Sequence, residues 1–400
     1  MVFGVLALMA GTVLFAIFPS RATASTTTSQ SPTVTTTSTT STTFTTSTTG
    51  ATSAAANMAC ALKLVSSWTL PQLASETIVV SVNVANVGAM VPAATGGFGG
   101  LLLFGASAPV NIAATISRVQ ARTVHPYPML VMTDEEGGGV QRLTNVVGSI
   151  PWAATMGRNL TPASITKVAA RIGASLFNAG VNVDLAPVLD VDGRHVEPGR
   201  VDPDGYRSFS GNVTVVAKDA TAFMQGLTDS NVTSVVKHFP GLGGASQNTD
   251  YGPARTQPWS KLQQVGLVPF EVAIQAGAPA VMLSNASVPG LTSLPASLSP
   301  VVVQVLRGRL GFKGLIMTDA LSAGAINALG LSPSAATVRA LEAGANMVLA
   351  GNPQSPAASL SLAHAMASAV VNAVNTGALT LSALQFDAAQ VLAVRNSIAC

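Results

Sequence analysis

The sequence predicts an α/β fold in which eight parallel strands, each followed by a helix, close into a barrel, and three observations carry that prediction. From about residue 75 onward, short apolar runs alternate with amphipathic helical stretches, the pattern of repeated βα units. Eight such runs are present, at Thr77 to Val82, Gly100 to Phe104, Met129 to Met132, Val183 to Ala186, Ser234 to Lys237, Ala280 to Ser284, Leu315 to Met317 and Asn346 to Leu349; eight strands close a (β/α)8 sheet. Two runs end abruptly in ionisable residues, Lys237-His238-Phe239-Pro240-Gly241 and Gly314-Leu-Ile-Met-Thr318-Asp319, as expected where a parallel barrel presents its chemistry at one rim. Alternation alone does not separate a closed TIM-type barrel, regular or irregular, from an open doubly wound sheet.

Between the strands, helical spacing predicts helices over Val110 to Val119, Ile165 to Asn178, Val215 to Thr228, Leu267 to Ala276, Pro300 to Leu310 and Ala335 to Ala343. Several of these stop at glycine, the residue that most easily adopts a left-handed cap. Ala357 to Val374 and Leu381 to Ser397 read as two further helices that complete the domain.

Of the 400 residues, 48% are hydrophobic and only 9% charged, enough to bury a large core. The net charge is +3, and no run of Lys or Arg tracks a phosphate backbone, so nucleic acid is not an expected partner. Residues 1–24 read as a signal peptide or N-terminal anchor: Met1 to Phe18 is almost wholly apolar, and Ala22-Thr23-Ala24 has the small-residue spacing of a cleavage site. No Lys or Arg precedes the apolar run, which leaves retention of residues 1–18 as a membrane tether open. Residues 25–58 are mostly Thr, Ser and Ala without a hydrophobic period, and read as a stalk that cannot repay its ordering entropy. The barrel domain is then expected over 59–400, in an exported, extracellular or envelope-associated protein. Cys60 and Cys400, the two cysteines, bracket that domain and suggest a disulfide joining its ends.

The strand ends supply the candidate chemistry. Asp134-Glu-Glu-Gly-Gly-Gly-Val-Gln-Arg142 sets three acids against three glycines; with neither His nor Cys nearby, a zinc-type set is incomplete, while oxygen-only calcium binding stays open. Asp184, Asp190 and Asp192 follow the next strand, with Asp184 expected to be satisfied by loop amides or a cation. Arg207 is either a ligand contact or a surface ion pair. Lys237 and His238, at a strand end, require an acidic partner or a polar ligand. Asp319 is either a nucleophile or the N-cap of a following turn.

Together these pieces resemble glycoside hydrolase family 3, in particular its single-domain β-N-acetylhexosaminidases of the cell-wall-recycling type. The matching motifs also include Gly99-Gly-Leu-Leu-Leu-Phe104, Leu185-Ala-Pro-Val-Leu-Asp-Val-Asp192, Arg207-Ser-Phe209 and Pro295-Ala-Ser-Leu-Ser299, in the family's order over about residues 75–350. The resemblance implies a retaining enzyme without metal or organic cofactor that releases terminal β-linked N-acetylglucosamine from peptidoglycan-type fragments. It implies Asp319 as nucleophile, with Asp134, Arg142, Arg207, Lys237 and His238 binding the amino-sugar substrate. One departure matters. Family hexosaminidases carry an Asp-x-His pair in the loop after Lys-His-Phe-Pro-Gly, with the His as acid/base; here Asn248 and Asp250 stand at those positions. Asp250 is therefore the expected acid/base, and the alternatives are a catalytically impaired sugar-binding barrel or a family 3 β-glucosidase. Gly139 and Ala320 replace an Arg and an Asp common in the family, which predicts relaxed substrate selection.

Overall fold

The computed structural model describes residues 48–352 and 355–395. The expected leader, most of the stalk and Cys400 lie outside them. Within them, β1 (Ile78–Asn83), β2 (Gly100–Phe104), β3 (Leu130–Thr133), β4 (Val183–Asp184), β5 (Thr233–Phe239), β6 (Ala280–Leu283), β7 (Leu315–Thr318) and β8 (Val348–Leu349) form one sheet. Every neighbouring pair is parallel, and β8 lies beside β1. A parallel bridge between Met317 and Met347, with Asn346 N–H donating to Ile316 O at 2.8 Å, joins β7 to the chain entering β8. The sheet is thereby a closed barrel, not an open doubly wound sheet. All eight predicted strands are present, with ends shifted by a residue or two. β4 and β8 are the shortest, each two residues against an expected four, and Pro187, three residues beyond β4, has no N–H to extend that ladder.

Strand alternation divides the core into two layers. Val79, Leu102, Leu130, Met132, Val235, Met282, Leu315 and Met317 fill the barrel interior, while Val80, Leu101, Leu103, Val131, Val236, Val281 and Ile316 pack outward against the helices.

The helices follow the predicted spacing, as in Pro162–Asn178, Val213–Asp229 and Pro333–Glu342. Thr161, Asn212 and Ser332 cap their first turns through side-chain oxygens. The predicted helix over Pro300 to Leu310 is α-helical only to Gln304 and widens into a π-turn over Val305–Arg309. Pro356–Asn375 is long and apolar enough to cross a membrane, yet it packs against Pro333–Glu342, Leu70–Glu76 and β1. Thr48–Val65, which carries Cys60, begins within the Thr/Ser-rich segment and packs against the last helix, Leu381–Ala393. That last helix seals the N-terminal end of the barrel: Val391 joins the interior cluster. Asp387 accepts from Asn346 Nδ2 at 2.8 Å, and Gln390 Nε2 donates to Lys313 O at 3.1 Å.

Candidate active site

Inward parity carries straight from strand to site. Leu130 and Met132 point into the barrel, so Asp134 follows them inward; Val235 is followed by Lys237, and Leu315 and Met317 by Asp319. Asp319 extends the ladder by one residue, its N–H donating to Leu283 O at 3.0 Å. Its Oδ1 accepts from Ala320 N–H at 2.6 Å, and the side chain is left half-buried at the open rim.

After β3 the chain folds into a small hairpin of Glu135–Gly137 against Val140–Gln141. Gly138 makes this turn possible, with φ of +57° and no space for a Cβ, which would lie 1.9 Å from the Trp152 ring. Glu135 ties the hairpin down: Oε1 accepts from the Arg142 and Leu143 amides at 2.8 and 2.6 Å. Burial pushes the Glu135 carboxyl up to about 7 against those bonds. Asp184 accepts from Glu135 N–H at 2.9 Å, the loop-amide role expected for it, and burial raises its carboxyl well above the usual range.

The expected sugar-binding residues meet in one network, through an acid that the sequence reading passed over. Glu136 Oε1 lies 2.7 Å from Lys237 Nζ, and its carboxylate receives Arg207 Nε and Nη2 at 2.7 and 2.8 Å as a bidentate pair. Lys237 Nζ also reaches Asp134 Oδ1 at 2.7 Å, and Arg142 Nε stands 3.7 Å from Asp134 Oδ2. Burial opposes ionisation of Glu136, but Arg207 and Lys237 outweigh it and hold the carboxyl well below the usual range. Burial likewise opposes the Lys237 ammonium, and Asp134 and Glu136 keep it above the ordinary lysine value. Arg207 and Lys237 are thus partners of buried acids.

His238 is held from behind. Its Nδ1 lies 2.7 Å from Asp190 Oδ2, and Asp190 Oδ1 accepts from Leu242 N–H at 2.6 Å. The pairing leaves Nε2 toward Arg207 Nη2, at 3.4 Å. Asp190, Asp204 and His238 bring possible ligand atoms within 4.8 Å of one another. The positive Arg207 beside them and the engagement of Asp190 by N–H donors suit a hydrogen-bonded relay better than a cation seat. Asp204 is buried with both carboxylate oxygens unpartnered, and burial followed by the Asp190 charge raises its carboxyl well above the usual range.

Asp250 stands apart from this network, on the loop after β5. It is exposed at its outer edge, yet crowding by the protein and then the negative charge of Asp319 raise its carboxyl above the ordinary aspartate value. The Asp319 charge thus bears on Asp250, and no hydrogen bond joins the two carboxyls among the described residues.

Residues 76–394 match the model of the glycosyl hydrolase family 3 N-terminal domain. The chain belongs to glycosyl hydrolase family 3. Among family 3 proteins, a secreted glycosyl hydrolase of Arthroderma benhamiae is 32% identical over 314 residues, covering 76% of this chain and 86% of that one. The β-hexosaminidase LpqI of Mycobacterium tuberculosis is 36% identical over 235 residues, 56% of this chain and 58% of that protein. The solved structure of LpqI superposes with a TM-score of 0.76 at 30% identity, covering 85% of this chain and 97% of that one. The β-N-acetylhexosaminidase of Beutenbergia cavernae gives 0.72 at 32% identity, covering 81% and 97%. The resemblance drawn from the motifs is thus met by the family model, and the closed barrel is the scaffold those relatives share.

Proposed function

We propose that this family 3 chain is a retaining glycosidase that releases non-reducing terminal β-linked N-acetylglucosamine from cell-wall fragments. In this reading Asp319 attacks the anomeric carbon, forming a covalent glycosyl-enzyme as the aglycone departs. Asp250 gives its proton to the leaving oxygen, then takes one from the water that hydrolyses the intermediate. Asp134, Arg142, Arg207, Lys237 and His238 grip the sugar hydroxyls, and the buried partners of Asp134, Arg207, Lys237 and His238 leave those four little to reorganise.

The observation that carries the proposal is the pairing of two unlike carboxyls at one rim. Asp319 sits at the end of a rigid strand, the Asp250 backbone is bonded to the turn that follows it through Gly324 N–H at 3.0 Å, and the surrounding protein and the Asp319 charge raise the Asp250 carboxyl. One carboxylate to attack and one acid to donate is the division of labour a glycosidase requires. Hexosaminidase activity in LpqI and the Beutenbergia enzyme supports the amino-sugar substrate, and the secreted fungal relative supports export. The leader over 1–24, a stalk from 25 that gives way at Thr48 to the Thr48–Val65 helix and not at the expected 58, and a Cys60–Cys400 disulfide complete the proposal. The packing of the Cys60 helix on the last helix supports the disulfide by bringing the two ends of the domain together.

The test is a comparison of aryl N-acetyl-β-glucosaminides with N,N′-diacetylchitobiose on Asp250→Ala. A kcat/KM loss confined to the poor leaving group, with azide raising the slowed kcat on the activated substrate as the glycosyl azide forms, is the expected result. Equal loss on both substrates, or none, refutes Asp250 as acid/base. A wild-type protein that binds N-acetylglucosamine but turns over neither substrate is instead a sugar-binding barrel.

A further inference from the structure

Asparagine and aspartate replace the Asp-x-His pair that the family resemblance leads one to expect, so a short carboxyl must do its work from a loop. The structure holds that loop unusually tightly. On one side, Gly324 N–H donates to Asp250 O at 3.0 Å and Ala325 N–H donates to Thr249 O at 2.9 Å, both from the turn that follows the nucleophile. On the other side, Asn248 N–H donates to Arg200 O at 2.9 Å in the loop after β4, and the Arg200 guanidinium lies 5.2 Å over the Tyr251 ring. Within the loop, Asn248 Oδ1 accepts from the Asp250 amide at 2.9 Å, which sets the turn on which Asp250 rides.

Contact with the β7 turn leaves no space for a side chain. A Cβ on Gly324 would stand 2.6 Å from Tyr251 C, 2.7 Å from Gly252 N and 2.8 Å from Asp250 O. All three are backbone atoms, so no rotamer change relieves the overlap; the loop itself must move away. Gly324 lies five positions beyond Asp319, and the same contact therefore sets the Asp250 segment directly against the nucleophile's own turn.

Resting on the reading of Asp250 as acid/base, we propose that Gly324 is the positioning residue for that group. Its missing side chain lets the Thr249–Gly252 backbone lie on the nucleophile's turn, and the Asn248 turn then aims Asp250 toward Asp319. The clasp replaces reach with placement: a side chain shorter than an imidazole serves the leaving oxygen because its backbone is docked close to the reacting centre. No bond of the reaction passes through Gly324, so its effect falls on proton transfer and not on nucleophilic attack.

The experiment compares Gly324→Ala and Asn248→Ala with wild type and Asp250→Ala across leaving groups, from an activated aryl N-acetyl-β-glucosaminide to N,N′-diacetylchitobiose. An ångström of misplacement costs on the order of 100-fold in a positioned step. For Gly324→Ala, kcat/KM on chitobiose is therefore expected to fall ~10- to 100-fold, with the activated substrate changed less than about 2-fold. Asn248→Ala is expected to lose in the same direction by less. In both variants the alkaline limb of the pH profile should move, and a 2-fluoro sugar should still label the nucleophile, which a merely structural defect would not allow. Equal losses on both substrates, or no loss on chitobiose, overturn the proposal. Should Gly324→Ala fail to fold, Asn248→Ala decides alone by the same criterion. If Asp250→Ala shows the leaving-group-selective loss and neither positioning variant does, only the clasp is wrong. If Asp250→Ala lacks that loss, the acid/base reading falls and the clasp with it.

Discussion

Two buried carboxyls, Glu136 at one end of the barrel and Asp387 at the other, are held by opposite rules. At the C-terminal rim Glu136 sits between Lys237 and Arg207, each within 2.7 Å, and stays ionised despite burial. At the sealed end Asp387 receives one amide proton from Asn346, while Arg307 spends its donors on Phe312 O, Gly314 O and Asn346 Oδ1. Burial therefore drives the Asp387 carboxyl up to about 7. Glu76 at the same end is pushed to about 7 by burial although Arg395 Nη2 lies 2.6 Å away. The contrast separates two uses of buried charge. An ionised lattice presents fixed donors and acceptors to a neutral sugar at no cost of reorganisation. A sealed floor accepts carboxyls chiefly by letting them keep a proton.

The largest expected effect breaks the rim's chemistry without touching its lattice. Asp319 is half-buried and bonds only the amide that follows it, so Asp319→Asn should lower hydrolysis by at least ~10³-fold. Its thermal midpoint should stay close to wild type. An intact rate in this variant would mean that the rim's nucleophile has been misassigned. Next, Lys237→Met removes a cation from Glu136 and an ammonium from Asp134, and breaking a buried pair costs about 3–5 kcal/mol in urea unfolding. The pH dependence has a definite sign. Glu136 has a folded value below its unfolded one, so its contribution is present above the unfolded value and is lost as pH falls through the folded one. The deficit of Lys237→Met should accordingly be widest near neutrality and narrow in acid.

The difference between the ends also marks what the sequence could and could not reveal. Strand positions were legible because each is an apolar run bounded by turn residues, and period-two alternation points Asp134, Lys237 and Asp319 inward. Glu136 was not, since Asp134, Glu135 and Glu136 are adjacent acids of like chemistry, and only the hairpin sends one to loop amides and the next to Arg207. The Asp190–His238 bond spans 48 residues and two loops, a pairing that spacing does not encode. Leu381–Ala393 reads as a helix from its composition, yet nothing in its pattern says that Val391 will plug a barrel. Gly324 lies in an ordinary Ser/Ala/Gly stretch, and its need for glycine arises only when a distant loop lands on it.

The smallest expected effect tests the sealed end directly. Asp387 has a folded value of about 7 against an ordinary aspartate value near 4. Between those values the folded chain holds a proton that the unfolded chain has released, so stability falls as pH rises through this window and levels off above it. Asp387→Asn keeps a side-chain oxygen for Asn346 Nδ2 but cannot ionise. Variant and wild type should match near pH 4, and the variant should be the more stable at pH 8, by up to about 4 kcal/mol in urea unfolding. Its kcat should be unchanged, because Asp387 lies at the opposite end from Asp319. A variant that is less stable at pH 8 would mean that Asp387 is held ionised beside Arg307, and Asp387 and Glu136 would then follow one rule.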